Sequence, residues 1–177
     1  MLYLVRHGRV LIDRARPAHQ WALDPAHADD VRALRPRLPE HAAWFSSPEP
    51  KALATARLLT DEPIEVVGEL REHERNNTEW VDDFHAVVRR AFEHPEVSAY
   101  AGWEPLAETR RRVATAVEGI LDQHPDHDVV LVGHGTAWTL VRAELTGEPP
   151  DLDWWMGLSL PDVACVAGEG RDDMLNP

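Results

Sequence analysis

Apolar residues along this chain gather in short runs that end abruptly at polar or glycine-containing stretches. Leu2-Tyr3-Leu4-Val5 stops at Arg6-His7-Gly8, Ala42-Ala43-Trp44-Phe45 at Ser46-Ser47-Pro48, and Val129-Val130-Leu131-Val132 at Gly133-His134-Gly135. Runs this short and apolar at nearly every position predict strands buried on both faces of a sheet. Ile64-Glu65-Val66-Val67 predicts a fourth, weaker strand. Between the strands the spacing of apolar positions predicts helices over 29–38, 50–59, 84–92, about 104–123 and 136–145, the last closed by Gly147. Strands alternating with helices predict an α/β fold with a mainly parallel sheet.

The segment 73–103 is the least regular. Its Asn76-Asn77, Trp80, Asp82-Asp83 and Trp103 read as an excursion from the sheet, a small cap over one edge. Pro and Gly mark element boundaries rather than a linker, and no repeat interrupts the chain, so 1–177 is expected to form one domain. The polar, helix-breaking stretch 169–177 is expected to fray.

Composition narrows the classes. The chain has 177 residues, and no stretch reaches the roughly 18 to 20 apolar residues of a membrane span. Met1 leads into an apolar strand rather than a basic and then apolar leader, so an unexported, cytoplasmic protein is expected. Cys165 is the only cysteine, which excludes an intramolecular disulfide. The net charge of −13 repels nucleic acid and anionic membranes, so neither is an expected partner. All but one of the 18 cationic side chains are arginines; the exception is Lys51.

In an open parallel sheet, ligands bind beyond the carboxyl ends of the strands. Three strands here end in Arg6-His7-Gly8, Ser46-Ser47 and Gly133-His134-Gly135. If these strands are neighbours, two histidines, an arginine and small residues meet at one edge. That set suits a doubly charged anion, a phosphate above all, held by cations and by backbone N–H groups that glycine lets approach.

These residues resemble the histidine phosphatase superfamily, the phosphoglycerate-mutase-like family. Arg6-His7-Gly8 is similar to its signature tripeptide and Gly133-His134-Gly135 to its second-histidine motif. Ser46-Ser47-Pro48-Glu49-Pro50-Lys51-Ala52-Leu53-Ala54-Thr55-Ala56 is similar to its strand-end serines, basic residue and Thr-Ala helix. Leu70-Arg71-Glu72 is similar to the stretch carrying its acidic residue, and Gly102-Trp103-Glu104-Pro105-Leu106 to the start of its long helix. The motifs stand in the family's order from Leu2 to about Leu145. The resemblance implies a three-layer α/β/α sandwich and phosphohistidine chemistry without metal or cofactor. By it, His7 is the nucleophile and Glu72 the acid and base, while Arg6, Lys51, His134, Gly8 and the backbone N–H of Thr136 hold the phosphate. Two positions depart from the pattern: Lys51 replaces the usual second arginine, and Arg9 follows Gly8 where Glu or Gln is common.

Lys51 stands in the first turn of its predicted helix, where the macrodipole disfavours a cation. An anion should compensate, either Glu49 or the substrate phosphate. Arg9, Ser47, Trp80 and Trp103 are candidate substrate contacts, although a solvated loop accounts for Arg9 at least as well. Arg110-Arg111-Arg112 reads as a solvated face with one packed stem, and Trp154-Trp155 as core or partner contact. His124 and His127 lie in a polar turn without a thiolate or a ligand pattern, so no metal site is expected.

The expected function is metal-independent hydrolysis of a small-molecule phosphomonoester. The alternatives are a phosphohistidine-protein phosphatase, a phosphoglycerate-type mutase and, in another class, a catalytically weak phospho-ligand binding protein. A mutase shields its phosphohistidine under a covering tail, whereas a brief polar tail is expected here after the last strand. The sequence leaves the oligomeric state open. If Lys51 grips the substrate phosphate, Lys51→Arg restores a bidentate fork and raises phosphate affinity or turnover in a steady-state assay; unchanged kinetics place Lys51 outside the grip.

Overall fold

The computed structural model describes residues 1–166; the predicted frayed segment 169–177 lies outside the described residues. Five strands form one sheet in the order β3-β2-β4-β1-β5. They are β1 (Leu2–Arg6), β2 (Ala43–Ser46), β3 (Ile64–Val66), β4 (Val129–Gly133) and β5 (Asp162–Val166). The first four run parallel and β5 pairs antiparallel with β1. The helices are α1 (Ala28–Arg32), α2 (Pro50–Leu59), α3 (Phe84–Glu93), α4 (Leu106–Gln123), α5 (Gly135–Thr146) and α6 (Leu152–Gly157). The architecture is thus the expected mainly parallel α/β sheet with helices on both faces.

Alternation along the strands sorts the core into two layers. Leu2, Leu4, Phe45, Val129 and Leu131 face α4 and α5, meeting Val113, Val117, Ile120, Trp138 and Val141. Val5, Trp44, Val130 and Val132 face the other way onto Val31 of α1 and onto Ala56 and Leu59 of α2. β4 is buried at all five positions, as its unbroken apolar run requires, and burying each of its Val or Leu side chains contributes about 1.5–3 kcal/mol. A third cluster joins the cap to the sheet domain: Val87, Val88 and Ala91 of α3, with Ala99 and Trp103, pack on Leu106, Leu140 and Trp155.

Several boundaries differ from the sequence reading. The helix expected over 29–38 is split, because Pro36 holds residues Arg35–Arg37 in a separate 3-10 turn after α1. The long helix begins at Leu106 rather than 104, since Pro105 is its extended N-cap residue. A strand also follows where only a polar tail was expected: β5 lines the edge beside β1, and before it α6, capped by the Asp151 carboxylate, buries Trp155. Trp154-Trp155 is therefore packing, with Trp154 half-buried beneath the Arg142 guanidinium.

The strand that carries the second histidine is locked by a glycine. A Cβ on Gly133 would lie 2.6 Å from Cζ2 of Trp138, whose indole N–H donates to the Val5 carbonyl at 2.8 Å. The ring thus occupies the space of a side chain, and the bond ties α5 to β1. Gly133→Ala should lower unfolding stability by about 1–3 kcal/mol through overpacking, read as a reduced urea midpoint at unchanged slope.

Candidate active site

The parallel pairing of β1 with β4 sets Arg6 opposite Gly133, and the His7 backbone N–H continues the ladder to the Gly133 carbonyl at 2.9 Å. His7 and His134, the next residue of each strand end, therefore stand side by side with ring centroids 5.3 Å apart. β2 pairs with β4 on the other side, and Ser47 donates its N–H to Val132. The three strand ends singled out in the sequence do meet.

His7 is buried, and its Nδ1 lies 2.7 Å from the Gly8 carbonyl. A carbonyl only accepts, so Nδ1 carries the proton and neutral His7 presents a bare Nε2. Burial pushes its proton affinity well below the ordinary histidine value, and His134, Lys51 and Arg6 push it further. Gly8 is required at its position: a Cβ would come within 2.6 Å of Val31 and 2.8 Å of Leu23. Its N–H donates to Thr55 Oγ1, which in turn donates to the Lys51 carbonyl.

Arg6 reaches across the sheet edge, donating from Nη1 to the Leu158 carbonyl at 2.6 Å. His134 Nε2 lies 2.7 Å from Ser47 Oγ and 3.4 Å from a Glu49 carboxylate oxygen. Lys51 is buried, with its ammonium 2.5 Å from Glu49 and 2.7 Å from the Ala18 carbonyl. Of the two anions that the sequence left open for Lys51, Glu49 is thus in place. It lies inside the site rather than on the surface, only 6% exposed. Burial alone would raise the Glu49 carboxyl, but His134 and Lys51 outweigh it and hold the group below its ordinary value.

Glu72 caps helix α5. Its two oxygens accept the backbone N–H groups of His73, Thr136 and Ala137 at 2.9–3.1 Å. The Thr136 N–H, expected to be a phosphate donor, is therefore spoken for by Glu72. Burial would raise this carboxyl, yet His134, Arg75 and the backbone donors hold it at about 2. The loop carrying Glu72 is pinned from α4: Arg112 donates to the carbonyls of Glu69, Arg71 and Glu72 and to the Glu104 carboxylate. Arg112 is thus the packed member of the triplet, and it clamps this loop.

Sequence reasoning missed Arg75. Its guanidinium lies 4.9 Å from the Phe84 ring and 4.7 Å from the Trp103 ring, and Nη2 donates to Thr136 Oγ1 at 3.1 Å. Its charge acts on Glu72 and Glu49. Nε of Arg75, Nε of Arg6 and Nδ1 of His134 are buried with no hydrogen-bond partner among the described residues. Buried donors left open beside a free imidazole nitrogen suit an oxyanion.

The remaining candidates separate. Trp103 is 4% exposed and donates to Asn77, so it supports Arg75 from the core instead of lining an open pocket. Trp80 is 53% exposed, under the Arg14 guanidinium at 4.4 Å. Arg9 is exposed, and its backbone carbonyl accepts the Asp24 N–H. Among the described residues no three His, Cys, Asp or Glu side chains are grouped to hold a metal ion; His124 packs edge-on against Phe45 and His127. No helix among them is long and apolar enough to cross a membrane.

The Glu72 cap links the site to acid stability. The unfolded carboxyl takes a proton near 4.5, whereas the folded one stays ionised to about 2. Its contribution is therefore complete above the unfolded value and is lost as pH falls from about 4.5 towards 2. Urea unfolding across that range should show wild type losing stability more steeply than Glu72→Gln, which has no such titration.

The model of the histidine phosphatase superfamily (branch 1) matches residues 2–173. No curated protein matches the chain significantly. Among solved structures, YhfR of Bacillus stearothermophilus is 26% identical, with a TM-score of 0.71 over 94% of this chain and 91% of that one. A mycobacterial glucosyl-3-phosphoglycerate phosphatase is 20% identical, with a TM-score of 0.68 over 89% of this chain and 84% of that one. A phosphoserine phosphatase of Entamoeba histolytica, solved as a mutant with phosphoserine, is 18% identical, with a TM-score of 0.69 over 92% and 87%. The last two likenesses speak to the fold alone, while the family match spans both histidine motifs. The chain belongs to the histidine phosphatase superfamily, branch 1.

Proposed function

We propose that the protein hydrolyses a small-molecule phosphomonoester through a phosphohistidine formed on His7, without a metal ion. The observation that carries this reading is the His7 tautomer: Nδ1 is committed to Gly8, and Nε2 is left as a neutral nucleophile among buried, unpartnered cationic donors. In the first step His7 Nε2 bonds to phosphorus, the P–O ester bond breaks, and Glu72 gives its proton to the leaving oxygen. Water then attacks phosphorus, Glu72 takes the proton back, the P–N bond breaks and inorganic phosphate leaves. Arg6, Arg75, Lys51 and His134 serve the charge spread over the three transferring oxygens.

For its acid role Glu72 must hold a proton, and in the free site it does not. Charge that develops on the ester's leaving oxygen beside the carboxylate raises its proton affinity, so Glu72 holds the proton only in the reacting ester complex. A second reading, a phospho-ligand binding protein with little turnover, draws on that ionised Glu72 and on the Glu49–Lys51 pair. Phosphatase relatives in the family favour hydrolysis.

A panel of phosphomonoesters assayed with chelator present separates the readings. Wild type should turn over repeatedly and yield an acid-labile, base-stable phosphoenzyme on quenching, and His7→Ala should lose more than about 10³-fold in kcat. Equal rates in the two proteins overturn the mechanism, and tight ester binding with a single turnover supports the binding protein.

A further inference from the structure

The site holds an anion that phosphate chemistry does not ask for. Besides Glu72, the acid and base of the proposed reaction, the buried Glu49 carboxylate lies against Lys51 and 3.4 Å from His134 Nε2. The end of β2 offers Ser47, whose Oγ accepts the Glu49 N–H at 3.3 Å, and α2 offers Lys51. The loop before the cap gives the Glu72 backbone N–H, which donates to Glu49 Oε1 at 2.8 Å. The start of α5 gives His134, and Arg75 acts from the cap. Arg6 lies beyond, coupled to Glu72 and to Asp162 of β5.

The charges of the site can therefore be counted. Arg6, Lys51 and Arg75 bring three positive charges, Glu49 and Glu72 two negative ones, and burial keeps His7 and His134 towards their neutral forms. The sum is one positive charge, and Asp162, the β5 residue paired with Arg6, diminishes it. A phosphoryl dianion entering this site leaves it one to two charges negative in a poorly solvated setting, which is costly unless a proton comes with it. Without Glu49 the same three cations would match a dianion and Glu72.

Resting on the reading of this site as a phosphoryl site, we infer that Glu49 is a specificity-determining residue that couples phosphate capture to proton uptake. The dianion enters with one proton, which Glu49 takes, and the Lys51 ammonium passes from a carboxylate partner to the phosphate. Lys51 has three donors, and the Ala18 carbonyl keeps one of them, so the ammonium stays in place through the exchange. The proton is drawn from solvent on binding and returns to it on release, and no oxidant or further reactant is needed. The expected consequence is a site that captures phosphate more tightly as pH falls and rejects dianions in alkaline solution.

Tungstate, kept dilute so that it remains a monomeric dianion, is the probe. Between about pH 5 and 7 its dissociation constant for wild type should rise about tenfold per pH unit, and calorimetry in two buffers of different ionisation enthalpy should count about one proton taken up per anion bound. Glu49→Gln keeps the shape and the acceptor of the Glu72 N–H; it should bind more tightly at the alkaline end, with a flat profile and no proton uptake. His134→Asn should keep the slope. Zero uptake by wild type overturns the inference without recourse to a variant. Uptake that survives in Glu49→Gln, or that disappears in His134→Asn alone, places the proton elsewhere and also overturns it. If tungstate fails to bind and His7→Ala hydrolyses as wild type does, the phosphoryl site itself falls and takes Glu49 with it. If the His7 chemistry holds and no proton is counted, only the role of Glu49 falls.

Discussion

The pairing of β1 with β4 is the constraint on which the site depends. Strands in a sheet lie about 4.8 Å apart, and side chains at matched positions inherit that spacing. Because His7 and His134 are each the first residue past paired positions, their separation is a property of the backbone ladder rather than of loops. The ladder is hard to deform: β4 is buried along its whole length, and the Trp138 ring fills the space above Gly133 while its N–H grips β1. His7, the proposed nucleophile, and its neighbouring imidazole therefore sit at the end of a buried and tightly packed strand pair.

Around this fixed pair the charged groups come from β1, from the start of α2 and from the stretch 72–75, and each is held by contacts of its own. Glu72 is bound to the N-terminus of α5 and clamped through Arg112, Arg75 is enclosed by two aromatic rings, and Lys51 is tied to the Ala18 carbonyl. Burying so many charges is costly, and the cost is contained by pairing them within the site itself. The result is a set of charges nearly balanced before any ligand arrives, within a chain whose net charge of −13 offers an anion no attraction from a distance.

Much of this was legible in the sequence because the signals were strong and local. Apolar runs that stop at Arg6, Ser46 and Gly133 give the strands, their order in the chain gives the parallel sheet, and the two Gly-flanked histidines give the centre of the site. What escaped notice had weak or misleading local signals. β5 mixes Asp162 and Cys165 with its valines and is stabilised by pairing at an edge, and α6 is a single short turn with a half-exposed face. Glu49 was legible as a partner for Lys51 but not as a neighbour of His134, because only the tertiary fold closes Pro48-Glu49-Pro50 over that ring. Arg75 lies in an irregular stretch where no period reveals direction, and its place between Phe84 and Trp103 depends on contacts 9 and 28 residues away.

The excursion that forms the cap leaves and re-enters the domain through one narrow neck. Arg75 bridges Trp103, the Asn76 N–H meets the Gly102 carbonyl, and the Glu104 N–H meets the Glu74 carbonyl. Glu72 and its clamp lie on the domain side of that neck, whereas Trp80 and the exposed loop around it lie beyond. Insertions, deletions and exchanges in the exposed loop around Trp80 can therefore accumulate without shifting the charged groups of the site. Such a layout lets descendants of one gene change what they recognise while inheriting how they react, a separation of ancestry for the two halves of an enzyme's identity.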